Sequence, residues 1–108
     1  MKKTSIILTI LAIVIVSLTM CTEKEKDTTA PVIILEGGNP QYVAKDSVYV
    51  EPGYTANDDV DGDITDLVKI QDNIDIHTEG TYQRKYNVID AAGNSAEEQT
   101  REVRVLIF

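Results

Sequence analysis

The sequence predicts an all-β protein, an antiparallel β-sandwich of about seven short strands that follows an export signal. Three observations predict this fold class. Downstream of the signal, apolar side chains recur at alternate positions, as they do in strands that bury one face. Groups of Gly, Pro, Asn and Asp separate these runs at short intervals. No stretch there has the periodicity of an amphipathic helix, which favours a sandwich over a parallel α/β fold.

The N-terminal segment has the organisation of a signal peptide. Lys2 and Lys3 precede an uncharged apolar run from Ile6 to Leu18. Because a membrane-spanning helix needs about 20 apolar residues, this shorter run favours a signal that is cleaved. An uncleaved N-terminal anchor is the alternative.

Cys21 is the only cysteine of the chain and lies just after this apolar run. The stretch Leu18–Cys21 (LTMC) resembles the lipobox of bacterial lipoproteins. The resemblance implies that residues 1–20 are a lipoprotein signal peptide and that an acylated Cys21 attaches the mature protein to a membrane. An unmodified thiol is the alternative, since no second cysteine is present to form a disulfide.

A polar segment connects Cys21 to the predicted domain. Residues 21–29 (CTEKEKDTT) have no apolar side chain beyond the cysteine, and their charges alternate in sign. This composition predicts a flexible tether that leads to one folded domain over residues 30–108. A domain of this length buries a modest core and leaves little room for a deep active-site cleft.

The mature chain is strongly acidic. Without Lys2 and Lys3, eight basic residues stand against 18 acidic ones, a net charge of about −10. This charge argues against nucleic-acid binding, which relies on basic side chains that neutralise phosphates. It also argues against a basic patch for anionic lipids, so the acyl chains are the expected membrane contact.

From Pro31 onward, short β-branched and aromatic runs alternate with turns. Strands are predicted at Val32–Leu35, Tyr42–Val43, Val48–Val50, Leu67–Ile70 and Ile74–Ile76. Gly62 and Gly80 are predicted to lie in structural turns between such runs.

The C-terminal third predicts a β-hairpin. Asp90–Asn94 (DAAGN) supplies its loop, in which Asp90 can accept backbone N–H groups and Gly93 can adopt a positive φ. Residues two apart on a strand share a face. The positions expected to face inward are Tyr82, Tyr86, Val88, Val103, Val105 and Ile107.

Arg84 lies on the same predicted face as Tyr82 and Tyr86. Its aliphatic stem could cross the sandwich edge and leave the guanidinium in water, or the guanidinium could pair with a carboxylate. We expect the first arrangement.

Five segments carry a family resemblance. They are Asp27–Ile33 (DTTAPVI), Glu51–Ala56 (EPGYTA), Asp58–Thr65 (DDVDGDIT), Gly80–Tyr82 (GTY) and Tyr86–Ala96 (YNVIDAAGNSA). In this order and at this spacing they resemble the immunoglobulin-like domains of bacterial surface proteins and of one group of pesticidal crystal proteins. The resemblance implies an immunoglobulin-like (cadherin-like) sandwich displayed outside the cell, without catalytic residues to transfer.

The most acidic stretch, ANDDVDGDITD, is a candidate metal site. Asp59, Asp61 and Asp63 alternate as the first ligands of an EF-hand loop do. Ile64 and Ile70 occupy the positions where that loop needs Gly and Glu, so an EF-hand is excluded.

A looser calcium site is the alternative that this stretch leaves open, because calcium accepts carboxylates, carbonyls and water. Its weak candidate ligands are Asp59, Asp61, Asp63 and Asp90, and Asp58 or Asn57 could join them. We expect turns whose aspartates accept backbone N–H groups, and no cofactor.

The sequence predicts no catalytic activity. His77 is the only histidine, so a zinc site has no second histidine ligand. The chain also lacks a G-x-S-x-G segment and a Gly-rich phosphate loop. We therefore expect His77 to be a solvated loop residue.

The expected function is a non-catalytic module for binding or display. It is extracytoplasmic and lipid-anchored to the bacterial cell membrane or outer membrane, with an unknown protein or glycan partner and no nucleic acid. One alternative is a calcium-dependent adhesion or carbohydrate-binding domain. Another is an accessory subunit of a surface enzyme or uptake system.

Overall fold

Seven β-strands pack as two sheets in the computed structural model, which describes residues 25–108. The strands are β1 (Val32–Leu35), β2 (Gln41–Ala44), β3 (Tyr54–Asp58), β4 (Gly62–Asp63), β5 (Lys69–Asp72), β6 (Gly80–Asn87) and β7 (Gln99–Leu106). One sheet has the strand order β1-β3-β4, and the other has the order β2-β7-β6-β5. The predicted all-β sandwich is confirmed.

The predicted signal peptide (residues 1–20), Cys21 and the first part of the predicted tether lie outside the described residues. Within residues 25–108, the one helical element is a 3₁₀ turn at Thr65–Leu67. No helix in this range is long and apolar enough to cross a membrane.

The chain changes sheets between β1 and β2. β1 pairs antiparallel with β3, whereas β2 pairs parallel with β7, from Gln41 opposite Val103 to Ala44 opposite Leu106. Because β2 and β7 are far apart in the sequence, no hairpin constrains them to be antiparallel. This pair is the one departure from the predicted antiparallel arrangement among the described strands.

Two clusters of buried apolar side chains form the core. The larger cluster contains Ile33, Ala56, Ile64, Tyr86, Val88 and Ala96, from both sheets. The smaller one contains Val43, Val103 and Val105, covered by Tyr49, Ile74, Ile76 and Tyr82. The predicted inward face of the hairpin is confirmed, except that Ile107 follows the end of β7 and is 65% exposed.

The predicted strand at Val48–Val50 is wrong. Its two valines are exposed and only Tyr49 turns inward, so the segment runs outside both sheets. The predicted strand at Leu67–Ile70 begins later, at Lys69, because Leu67 belongs to the 3₁₀ turn.

The predicted strand at Ile74–Ile76 is also wrong, although both isoleucines are half-buried as their alternation suggests. Local turns hold this segment. The side chains of Asp72 and Asp75 accept the backbone N–H groups of Ile74 and His77, which are therefore not available to pair with a neighbouring strand. The sequence pattern misses β3, since one of its two buried positions is the acidic Asp58.

Candidate functional site

Three distant segments meet at one end of the sandwich, which we call the tether end. They are Asp27, the Asp58–Gly62 loop after β3, and the Asp90–Asn94 loop after β6. The pairing of β1 with β3 places Val32 opposite Asn57, so the start of β1 lies beside the end of β3. The tether end therefore joins three of the segments that carry the family resemblance.

Hydrogen bonds hold these segments together. The Asn94 Nδ2 donates to the carbonyl oxygen of Asp27 at 3.0 Å and to Oδ2 of Asp90 at 2.9 Å. The backbone N–H of Ala91 donates to Oδ2 of Asp61 at 2.8 Å. Each segment is thus bonded to at least one of the other two.

The glycines predicted to lie in turns differ in their roles. Gly62 and Gly93 have φ of +74° and +93°, in the left-handed region that favours glycine. Gly80 instead starts β6, and the chain turns upstream of it, at Ile76–Thr78.

The four candidate calcium ligands do not form one group. Asp63 accepts hydrogen bonds from the side chain and backbone of Thr65, which lower the pKa of Asp63. Oδ2 of Asp61 already accepts the backbone N–H of Ala91. Of the four, only Asp59 belongs to the cluster in which carboxylate oxygens of three residues, Asp27, Asp58 and Asp59, lie within 4.8 Å of one another.

Asp90 is buried beside this cluster. Burial would raise the pKa of Asp90, but the hydrogen bonds from Asn94 outweigh burial and hold the pKa below its ordinary value. The opposite holds for Asp27. The Thr29 N–H lowers the pKa of Asp27, but burial and the charges of Asp58 and Asp90 outweigh that bond and raise the pKa. Burial first, and the neighbouring carboxylates second, thus favour the neutral form of Asp27 relative to Asp90.

Asp27 is not among the candidate ligands that the sequence predicts, because it stands in a segment with the composition of a tether. The signal that could have found it is the position of Asp27 at the start of the DTTAPVI segment, directly before β1.

A second polar cluster, the Glu51 network, lies inside the sandwich. Arg84 of β6 and Arg101 of β7 face each other directly in the register, with the Glu51 carboxylate between them. Glu51 accepts hydrogen bonds from the hydroxyl of Tyr86, at 2.7 and 2.8 Å, and from that of Tyr49 at 3.1 Å. The two guanidinium groups thus share one carboxylate.

The prediction that Arg84 leaves its guanidinium in water is wrong. The guanidinium pairs with Glu51 at 3.0 Å and also with Asp72, and its side chain is only 18% exposed. It also stacks over the Tyr49 ring, 5.2 Å from the ring centroid. Two carboxylates offset the cost of removing the charge from water.

Arg101 is fully buried and is not among the functional residues that the sequence predicts. Its guanidinium donates to the carbonyl oxygens of Gly38 at 2.6 Å and Gly53 at 3.0 Å, and to Tyr86 and Glu51. Arg101 ties the loops before β2 and before β3 to β7. The alternation of Val103 and Val105, extended back by two residues, would have placed Arg101 on the inner face.

The pKa of Glu51 leads to a prediction about pH. Burial would raise this pKa, but hydrogen bonds from Tyr86, Gly53 and Tyr49, and the charge of Arg101, outweigh burial and lower it. A carboxyl group whose pKa is lowered by folding stabilises the protein fully above its unfolded pKa, about 4.3, and less as the pH falls through its folded pKa.

The free energy of unfolding should therefore decrease as the pH falls below about 4, and it should decrease less in Glu51→Gln. Urea unfolding at a series of pH values measures both curves. The difference between the curves isolates Glu51 from the other carboxyl groups, and parallel curves would contradict its role.

His77 lies at the opposite end of the sandwich from the tether end. Its Nδ1 is 2.8 Å from Oδ1 of Asp46, and the two side chains are 73% and 64% exposed. The expected solvated loop position is confirmed, and Asp46 is the hydrogen-bond partner of the ring.

An apolar cleft of about 410 Å³ opens beside the 3₁₀ turn. Its lining includes Leu67 and Ile89, which are 57% and 58% exposed, together with Val68 and Val88. A shallow apolar surface of this kind suits a contact with another macromolecule better than the enclosure of a small substrate.

Comparison with known proteins assigns a family to this architecture. The family model described as bacterial surface protein, Ig-like domain, matches residues 33–105. No curated protein sequence matches the chain.

Two solved structures are similar to this chain. The lipoprotein BT2262 from Bacteroides thetaiotaomicron is 31% identical with a TM-score of 0.62, over 71% of this chain and 38% of that one. The structure of CBM51-2 in complex with GlcNAc and INT domains from Clostridium perfringens ZmpB is 29% identical with a TM-score of 0.57, over 72% of this chain and 17% of that one. The match therefore spans less than half of either neighbour.

Proposed function

This chain belongs to the bacterial surface protein Ig-like domain family, and we propose that it is a non-catalytic, lipid-anchored module that presents a binding surface outside the cytoplasm. The observation that carries this proposal is the short distance in sequence between Cys21 and Asp27. Six extended residues reach about 20 Å at most. A lipid on Cys21 would therefore hold the tether end near the membrane and leave the other surfaces of the sandwich accessible.

The use of charged side chains supports a role without catalysis. Inside the sandwich, Glu51 is hydrogen-bonded to Arg84 and Arg101, and Arg101 also donates to backbone carbonyls. His77 pairs only with the exposed Asp46 among the described residues. A general base needs a positioned partner and a site that excludes water, and neither group meets this requirement.

The proposed partner is an extracytoplasmic protein or glycan. The apolar cleft at Leu67 and Ile89 favours a protein, because exposed apolar patches mark protein contacts. A second cleft of about 290 Å³, along β5 and β6 of the four-stranded sheet, is lined by Gln71, Asn73 and Gln83 among others, whose amides suit sugar hydroxyls. Surface crosslinking in cells and a glycan array, applied to the same protein, separate the two classes of partner.

Replacing the proposed acylated cysteine tests the anchor. Cys21→Ser should move the chain from the membrane fraction to the soluble fraction and abolish incorporation of labelled fatty acid, because the acyl chains are the proposed membrane contact. The measurement is fractionation followed by immunoblotting, with surface protease treatment of intact cells to establish exposure.

Thr22→Ser is the matched control, since it changes the neighbouring residue without removing a thiol, and it should fractionate as wild type does. If Cys21→Ser stays in membranes and the wild-type chain takes up no fatty acid, the apolar run at Ile6–Leu18 is the anchor and the lipid proposal fails.

A further inference from the structure

The acidic cluster at the tether end has features that local turns do not explain. Carboxylate oxygens of Asp27, Asp58 and Asp59 lie within 4.8 Å of one another. Asp27 precedes β1, whereas Asp58 and Asp59 lie at the end of β3, so the fold rather than the local sequence brings them together. Like charges at this distance repel unless a cation is shared between them.

Asp58 distinguishes this cluster from an ordinary acidic surface. The residue is only 6% exposed. Its Oδ2 accepts the backbone N–H groups of Val60 at 3.1 Å and Asp61 at 2.9 Å. Its Oδ1 is buried and receives no hydrogen bond from any group of residues 25–108. A buried carboxylate oxygen without a donor is costly and rare in native proteins.

Asp27 repeats this arrangement. Its Oδ1 accepts the backbone N–H of Thr29 at 3.0 Å, while its Oδ2 is buried and has no donor within the described part of the chain. Two segments of the chain thus each use one carboxylate oxygen for a local turn and leave the other without a partner in the same cluster. This division of roles leaves two carboxylate oxygens ready to bind a cation.

We propose that Asp27, Asp58 and Asp59 bind a calcium ion at the tether end. Calcium bonds to oxygen at about 2.3–2.6 Å, so two ligands of one ion lie no more than about 5 Å apart, which agrees with the spacing of this cluster. The ligands are all carboxylate oxygens, which favours a hard cation over zinc or copper.

The surroundings can complete the coordination shell. Asp59 is exposed, and an open cleft of about 310 Å³ beside it is lined by Asp27, Thr28 and Thr29 among others. This space accommodates the water molecules that bring calcium to six to eight ligands. Lys26 also lines the cleft, but among residues 25–108 it forms no ion pair with the three aspartates.

Calcium at this site would fasten the end of the tether to the sandwich. Asp27 lies within the predicted tether, and the bond from Asn94 to its carbonyl oxygen is the contact that already holds it. An ion shared by Asp27 and Asp58 would add a second connection and restrict the angle between the domain and the membrane. The site does not depend on the proposed lipid on Cys21.

Thermal unfolding of the full chain in mild detergent tests the site. Circular dichroism is recorded in chelator, then with about 5 mM calcium or magnesium. Extracellular calcium sites have a Kd of about 10⁻⁴–10⁻³ M, so calcium should raise the Tm by about 5 °C or more, and magnesium should raise it less. No rise with calcium, or an equal rise with magnesium, would overturn the assignment.

Asp58→Asn should abolish the effect of calcium on the Tm. The variant places an amide donor among the carboxylates, so in chelator its Tm should equal or exceed that of wild type, whereas calcium should no longer raise the Tm. Asp66→Asn, on an exposed residue of the same acidic stretch outside the cluster, is the matched control and should respond to calcium as wild type does. An unchanged calcium response in Asp58→Asn refutes the proposal.

Asp59→Asn keeps the test decisive if Asp58→Asn does not fold. Asp59 is exposed, so its substitution should leave the Tm in chelator unchanged. Titration calorimetry should show calcium affinity reduced about tenfold or more. Wild-type affinity in this variant would exclude Asp59 as a ligand and with it the proposed site.

Discussion

Glu51→Ala is expected to lower the free energy of unfolding by about 3 kcal/mol, a large share of the stability of a small domain. Without this carboxylate, Arg84 and Arg101 face each other across β6 and β7 as like charges, which is destabilising. Removing one partner of a buried ion pair costs about 3–5 kcal/mol. The expected loss lies at the lower end because the Glu51 side chain is 23% exposed and Arg84 keeps Asp72.

Urea unfolding followed by circular dichroism measures this loss. Glu97→Ala is the matched control, because Glu97 is exposed, and it should change the free energy of unfolding by less than about 0.5 kcal/mol. Glu51→Gln keeps the shape of the side chain without its charge and should fall between the two. A loss below about 1 kcal/mol for Glu51→Ala would mean that Asp72, the backbone carbonyls and water stabilise the two arginines without Glu51.

The sequence correctly predicts those strands in which apolar residues alternate and an adjacent strand also supplies backbone hydrogen bonds. The β6–β7 hairpin has both, with buried Tyr86 and Val103 at the expected positions. Val48–Val50 has β-branched residues, but among the described strands none pairs with it, and its valines are exposed. Local composition therefore indicates which residues can form a strand, whereas the partner that completes the strand is decided by distant segments.

The candidate site is harder to predict for the same reason. The polar neighbours of Asp27 predict that it belongs to a tether. Only the pairing of β1 with β3 brings it beside Asp58. The acidic stretch ANDDVDGDITD contributes Asp58 and Asp59 to the cluster, while Asp61 and Asp63 accept hydrogen bonds from nearby backbone N–H groups. Charge density along the chain thus does not identify which carboxylates converge in three dimensions.

The Glu51 network and the acidic cluster show two ways of placing charge in a small sandwich. In the network, Glu51 receives both arginine side chains and two tyrosine hydroxyls, so each buried charge has an opposite partner. In the cluster, Asp27 and Asp58 each retain a buried oxygen to which none of the residues that the structure describes donates a hydrogen bond. The first arrangement is complete with protein groups alone, whereas the proposed calcium ion would complete the second.

Arg101→Lys is expected to lower the free energy of unfolding by about 2 kcal/mol, although it preserves the positive charge. The guanidinium of Arg101 reaches the carbonyl oxygens of Gly38 and Gly53 in different directions, in addition to Glu51. A single ammonium group cannot reach all of these acceptors, because its three donors radiate from one nitrogen. At least one acceptor would then lose its donor, at about 1–3 kcal/mol.

Arg104→Lys is the matched control on the same strand. Arg104 lies on the outer face of β7, where its side chain is 44% exposed and pairs with Glu102, so the same substitution should cost less than about 0.5 kcal/mol. Urea unfolding of both variants gives the comparison directly. Equal losses would show that β7 tolerates lysine equally on both faces, and they would refute the role of the Arg101 guanidinium in fastening the loops before β2 and β3.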